Sequence, residues 1–158
     1  MAAGPNTVMA ESLYFVETGA GVYSGSITVP ANTLLVDVIV HAEALWAAGT
    51  SAALIVGDTA DPNGFFDAVD LKATDLLAGE SISFDHTGAQ QGADVDIFTE
   101  TINSAVIDNP ALQHLRRRML TTARNLTAEV TSVGVGTTGR TLVTFLYCLP
   151  ARQQINVT

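Results

Sequence analysis

The stretch Val22–Val29, VYSGSITV, and the stretch Leu34–His41, LLVDVIVH, decide the fold. In the first, Tyr23, Gly25, Ile27 and Val29 fall on one face, with Ser24, Ser26 and Thr28 on the other. In the second, Leu34, Val36, Val38 and Val40 oppose Leu35, Asp37, Ile39 and His41. A period of two residues marks a strand whose faces meet different surroundings. Ser81–Asp85, Asn125–Val133 and Thr141–Leu149 repeat it. Several such strands divided by turn residues predict an all-β fold, a sandwich or a barrel.

Pro30 closes the first of these strands, because it has no amide hydrogen for a ladder. The second runs on to about Ala44, and Trp46 keeps its inward parity. Gly49–Ser51 then turns into Ala52–Val56, a short apolar strand. Asp61-Pro62-Asn63-Gly64 is a turn, since Pro fixes φ and Asn or Gly accepts positive φ. A short helix is expected around Phe66–Leu71. Residues 86–92 read as a Gly/Gln turn region and Val95–Phe98 as another strand. Asn109-Pro110 resembles a helix start, whereas Arg116–Thr121 reads equally as a strand entry. Gly134–Gly139 joins the last two strands as a hairpin connection would. The expected architecture is an antiparallel β-sandwich with at most one or two short helices. An irregular N-terminal arm spans 1–17, and a single domain spans 18–158.

Composition narrows the function. A chain of 158 residues can bury roughly 70% of its unfolded surface in one core. The single cysteine, Cys148, sits in an apolar strand and reads as an inert buried thiol. The lack of intrachain disulfides fits assembly in a reducing compartment. A formal net charge of −9 and an isoelectric point near 4.4 disfavour binding to a nucleic-acid backbone. No apolar run reaches membrane-spanning length, and no signal peptide is visible. Yet 47% of the residues are hydrophobic and only 15% are charged. The surplus apolar residues are expected both in the core and at subunit contacts.

No motif supplies a catalytic set. His41, His86 and His114 are far apart in sequence and show no zinc spacing. No nucleophile elbow is present, and Gly19-Ala20-Gly21 lacks the rest of a dinucleotide fingerprint. Asp58, Asp61 and Asn63 offer hard oxygen ligands and form a weak calcium candidate, without the spacing of a twelve-residue calcium loop. A solvated turn with local side-chain hydrogen bonds is the alternative. Arg116, Arg117 and Arg118, with Arg124 nearby, form the basic cluster of an acidic chain. They are read either as a docking contact for an acidic neighbour or as partners of the protein's own carboxylates. In Thr141–Leu149, Leu142, Leu146 and Cys148 lie on one face, and Val143, Phe145, Tyr147 and Leu149 on the other. Two apolar faces call for cover on both sides, by a second layer of the same domain or by a neighbouring subunit. Phe145 and Tyr147 are therefore interface candidates too.

Three segments carry a resemblance. GVYSGSITVPANTLLVDVIVHAEALW (21–46), LIVGDTADPNGFFDAVDL (54–71) and NLTAEVTSVGVGTTGRTLVTFLYCLP (125–150) resemble, in this order, segments of small tailed-phage virion proteins. The relatives are of the capsid decoration and head-fibre type. The resemblance implies a jelly-roll-like sandwich and a non-enzymatic structural role without cofactor. It further implies a decoration (cement) protein clustered on the phage head as a homo-oligomer, with a trimer favoured. Its partner would be the major capsid protein, its place the virion, and its assembly in the host cytoplasm. A tail or adaptor component of the same virion is the alternative. A carbohydrate-binding β-sandwich, calcium-assisted through Asp58–Asn63, is the alternative of another class; it calls for exposed aromatic residues, which the chain scarcely supplies.

Overall fold

In a computed structural model, the described residues are 7–84 and 119–150, with the strand segments 95–96, 99–102, 105–108 and 114–115 between them. The chain forms β1 (Val8–Val16), β2 (Gly21–Val29), β3 (Thr33–Ala44), β4 (Ser51–Asp58), β5 (Phe66–Asp70) and β6 (Ser81–Ser83). After these come β7 (Val95–Asp96), β8 (Thr99–Ile102), β9 (Ala105–Asp108), β10 (His114–Leu115) and β11 (Met119–Leu120). The chain closes with β12 (Arg124–Val133) and β13 (Arg140–Cys148).

Two antiparallel sheets face each other. One has the order β1-β13-β3, with β6 and β11 sharing the free edge of β3. The other has the order β2-β12-β4-β5. First strand beside last, and second beside next-to-last, is the strand order of a jelly roll, an eight-stranded double sheet built from two Greek keys. Two short ribbons, β7 with β10 and β8 with β9, belong to the connection between β6 and β11.

The inward faces are the apolar halves of the alternating stretches. Ile27, Val29, Leu54, Val56, Leu126, Ala128 and Val130 of one sheet meet Val38, Val40, Ala42, Val143, Phe145 and Tyr147 of the other, all buried. Phe84 joins them, with its ring edge-on to Phe65 and Phe66 at centroid distances of 6.1 and 5.8 Å. Phe145 and Tyr147 thus lie in the protein's own core, so its second layer covers them and they are not interface residues. The opposite face of β13, through Leu142, Leu146 and Cys148, is half-buried. Expected cover on both faces is therefore found on one.

Several expectations change with the tertiary pairing. The stretch 1–17 is not an irregular arm throughout: Val8–Val16 pairs along its whole length with β13. It hides its period because Glu11 shares the inward face with Met9, Leu13 and Phe15. Phe66–Asp70 is a strand, not a helix, because β4 offers it an edge and Phe66 and Val69 a place in the core. Gly134–Gly139 is not a hairpin turn: β12 and β13 lie in different sheets, and the loop crosses between them. In β3 the face changes at a bulge, where Tyr147 pairs with Leu35 but Leu146 with Asp37. The extra residue lets Leu35 and Val38 both point inward, so Leu35 rather than Leu34 reaches the core. The helix start at Asn109-Pro110 and the turn at 86–92 lie outside the described residues.

Phe145 has no exposed surface. Phe145→Asp would leave an unpaired charge between the sheets. The expected cost is several kcal/mol, a large part of the roughly 5–15 kcal/mol by which domains are stable. The variant should be insoluble or unfolded by circular dichroism. A soluble variant with wild-type melting would contradict the packing described.

Candidate functional site

Four connections meet at one end of the sandwich: Glu17–Ala20, Leu45–Thr50, Leu71–Glu80 and Gly134–Gly139. Each crosses from one sheet to the other. They are held together around a buried carboxylate. Glu17 is 1% exposed, and its Oε2 accepts hydrogen bonds from the amides of Ala47 (2.9 Å), Thr138 (3.1 Å) and Gly139 (3.0 Å). Its own amide donates to the carbonyl of Gly139 at 2.8 Å. Burial pushes the Glu17 carboxyl up, but the amides of Ala47, Gly139, Thr138 and Ala48 outweigh it and hold the group below the usual range. Residue 136 must be glycine here, because a Cβ would overlap Oε1 of Glu17 and the backbone at Ala47–Ala48.

Trp46 fixes the same end from the core side. Its indole N–H donates to Oγ1 of Thr141 at 2.9 Å, and its ring meets Tyr23 edge-on at 5.2 Å. Tyr23 in turn donates to the carbonyl of Gly19 at 2.6 Å and accepts from the amide of Thr18 at 2.9 Å. The amide of Trp46 donates to the carbonyl of Leu71 at 3.0 Å, and Nζ of Lys72 donates to the carbonyl of Ala48. All four loops are thereby tied to one another.

The calcium candidate sits at the opposite end and is differently employed. Asp58 is buried. Its Oδ1 accepts from the amides of Ala60 (2.7 Å) and Asp61 (3.0 Å), and its Oδ2 pairs with Arg124. Burial raises the Asp58 carboxyl, while those two amides and the Arg124 guanidinium bring it below its ordinary value. Asp61 closes the turn through its backbone, accepting from the amides of Asp58 (2.9 Å) and Gly64 (3.1 Å). The loop folds back so closely that Gly57 has no room for a Cβ beside Asp61 and Pro62. Asp58 is thus occupied by a guanidinium and two amides, and no group of three or more metal-binding side chains occurs among the described residues. Arg116, Arg117 and Arg118 lie outside the described residues; Arg124 pairs internally.

The outer face of the β2-β12-β4-β5 sheet carries a shallow groove of about 440 Å³ lined by Ser24, Ser26, Ile55, Pro62, Thr127 and Glu129 among others. No aromatic side chain lines it, and Trp46 is buried. The stacking platform that sugar binding calls for is missing from this groove. On the other sheet, Tyr147 donates to Glu11, and burial, together with that carboxylate, pushes its phenol up to about 12.

Comparison with solved structures bears on the fold. The chain aligns over 98% of its length, and 97% of the other, with a chain from the acidic stable capsid structure of Helicobacter pylori bacteriophage KHP30, at a TM-score of 0.58 and 14% identity. The fold is that of a phage capsid chain. A chain of the cyanophage Pam1 capsid asymmetric unit aligns at a TM-score of 0.52 and 16% identity, over 95% of this chain and 93% of that one. A chain of the capsid of Ralstonia phage GP4 aligns at 0.50 and 17%, over 97% and 90%. No family model and no curated protein matches the sequence. The resemblance read from the three sequence segments thus extends, at the level of fold, to almost the entire chain.

Two outcomes check these sites. Because Glu17 is held below the usual carboxylate range, the stability it contributes is complete above about pH 4.3, the unfolded value, and is lost as pH falls toward the folded one. Glu17→Gln should lower Tm at neutral pH by roughly 2–8 °C, from weakened charge-assisted hydrogen bonds worth about 1–2 kcal/mol. The gap should close as pH falls below 4.3. A gap independent of pH would contradict the charged assignment. At the other end, a chelator should leave Tm unchanged; a drop of several degrees would show that Asp58 holds a cation after all.

Proposed function

We propose that this chain is a structural component of a tailed-phage virion, and specifically a decoration protein that clusters as a trimer on the head and strengthens the shell. One observation carries the reading: almost the whole chain shares its fold with chains from three phage capsids. The sequence agrees, with no catalytic motif, an apolar composition and no disulfide. The role is structural rather than catalytic. Its partner is the major capsid protein, and its assembly takes place in the host cytoplasm. The mechanism is mass action, since a protein that binds only the assembled shell stabilises it by the free energy of binding. Arg116, Arg117 and Arg118 are proposed as the contact for an acidic neighbour, being the one run of adjacent cations in a chain of net charge −9.

The test uses heads from the parent phage with this gene deleted. Purified protein should co-sediment with them and raise the temperature at which they release DNA. Replacing Arg116, Arg117 and Arg118 with Gln should leave the protein's own Tm unchanged and slow attachment, most visibly at low salt. Protein that stays in the supernatant, with wild-type particles carrying it on the tail, would replace the head reading with the tail one.

A further inference from the structure

The loop end described above has a surface as distinctive as its interior. Among the described residues, seven large apolar side chains are exposed. Five of them, Val16, Val22, Leu77, Val133 and Val135, lie in the four loops of this end or within two residues of them. Val135, at the tip of the β12–β13 loop, is 84% exposed and Val22 is 62% exposed.

The same end carries few outward charges: within the same two-residue margin Glu43, Glu80 and Arg140 are exposed, and Arg140 lies 3.9 Å from Glu43. The segments 18–21 (TGAG), 45–50 (LWAAGT) and 134–139 (GVGTTG) contain no ionisable side chain. The ionisable side chains inside the loops also bond backbone groups, although Glu80 stays exposed. Glu17 is buried against amides, Lys72 donates to the carbonyls of Ala48 and Thr50, and Asp75 accepts from the amide of Asp70 at 2.7 Å. Glu80 accepts from the amide of Leu77 at 2.9 Å. Depletion of charge around exposed apolar groups is the compositional signal of an interface core. Because the loops are already fixed, contact costs little ordering entropy.

We infer that this end is where copies of the chain meet one another. The charge balance selects that occupant. Each copy carries −9, so two copies that approach through strongly acidic faces repel each other, and the apolar end, where Arg140 offsets Glu43, is where they meet with least opposition. The inference names the surface behind the clustering proposed above, and rests on that reading for the number of copies.

Sedimentation of the full chain tests it. The wild type should self-associate, and association should strengthen as salt screens the net charge. The double variant Val22→Glu, Val135→Glu should associate at least about tenfold more weakly. Its Tm should match the wild type, since both side chains are exposed. Val8→Glu, on an exposed residue of the opposite end, should associate like the wild type. A monomeric wild type, or a double variant that associates as well as the wild type, overturns the inference. So does a double variant that stays associated but no longer attaches to heads, which would place the shell on this surface. Wild-type protein that self-associates through this end yet fails to attach to heads overturns the virion reading and leaves the inference standing.

Discussion

The carboxylate of Glu17 is the point on which one whole end of the sandwich depends. A buried carboxylate is unfavourable unless donors surround it. Its donors come from two loops far apart in sequence, at Ala47 and at Thr138–Gly139. Both loops must adopt the shape that aims their amides inward, and residue 136 must lack a Cβ. Trp46, fixed by Thr141 and Tyr23, sits one residue from the first donor. The interaction thus reaches from a single side chain to the crossing points of four connections and to the start of β13, the strand that lies between β1 and β3.

A jelly roll has two ends, and here they differ in chemistry. At the Glu17 end, the ionisable loop residues bond backbone groups, and exposed apolar side chains gather beside the Arg140–Glu43 pair. At the other, Asp58 and Arg124 pair beneath the Asp61–Gly64 turn. β11, which follows the long connection from β6, pairs with Thr33 and Leu34 at that end.

The sequence disclosed the strands that have one apolar and one polar face. β2 and β12 alternate cleanly because they pack inward and face solvent outward. β1 hides its period because Glu11 breaks its inward face, although that glutamate has a partner in Tyr147. β5 fits a helix as well as a strand in the sequence, because five residues are too few to separate a period of two from one of 3.6. The bulge at Val36 and the division of β12 and β13 between two sheets are set by pairing partners, which no local pattern contains. The role of Glu17 was invisible for the same reason, since its donors are 30 and more residues away. A signal did exist in Gly134–Gly139, whose glycines were read as turn formers rather than as room for another loop. Asp58 stands out in the sequence, but as a metal ligand. Its partner Arg124 is 66 residues on, and only the fold brings the two together.

The central claim is that this chain is a capsid-type jelly roll whose apolar loop end joins it to its own copies. A cryo-electron microscopy map of the parent particle tests that most directly, provided it traces side chains. The account predicts the chain on the head exterior, with Val22 and Val135 of one copy against the loops of another and out of contact with solvent. A map that places the chain elsewhere, or shows those valines facing solvent on an isolated copy, would contradict it.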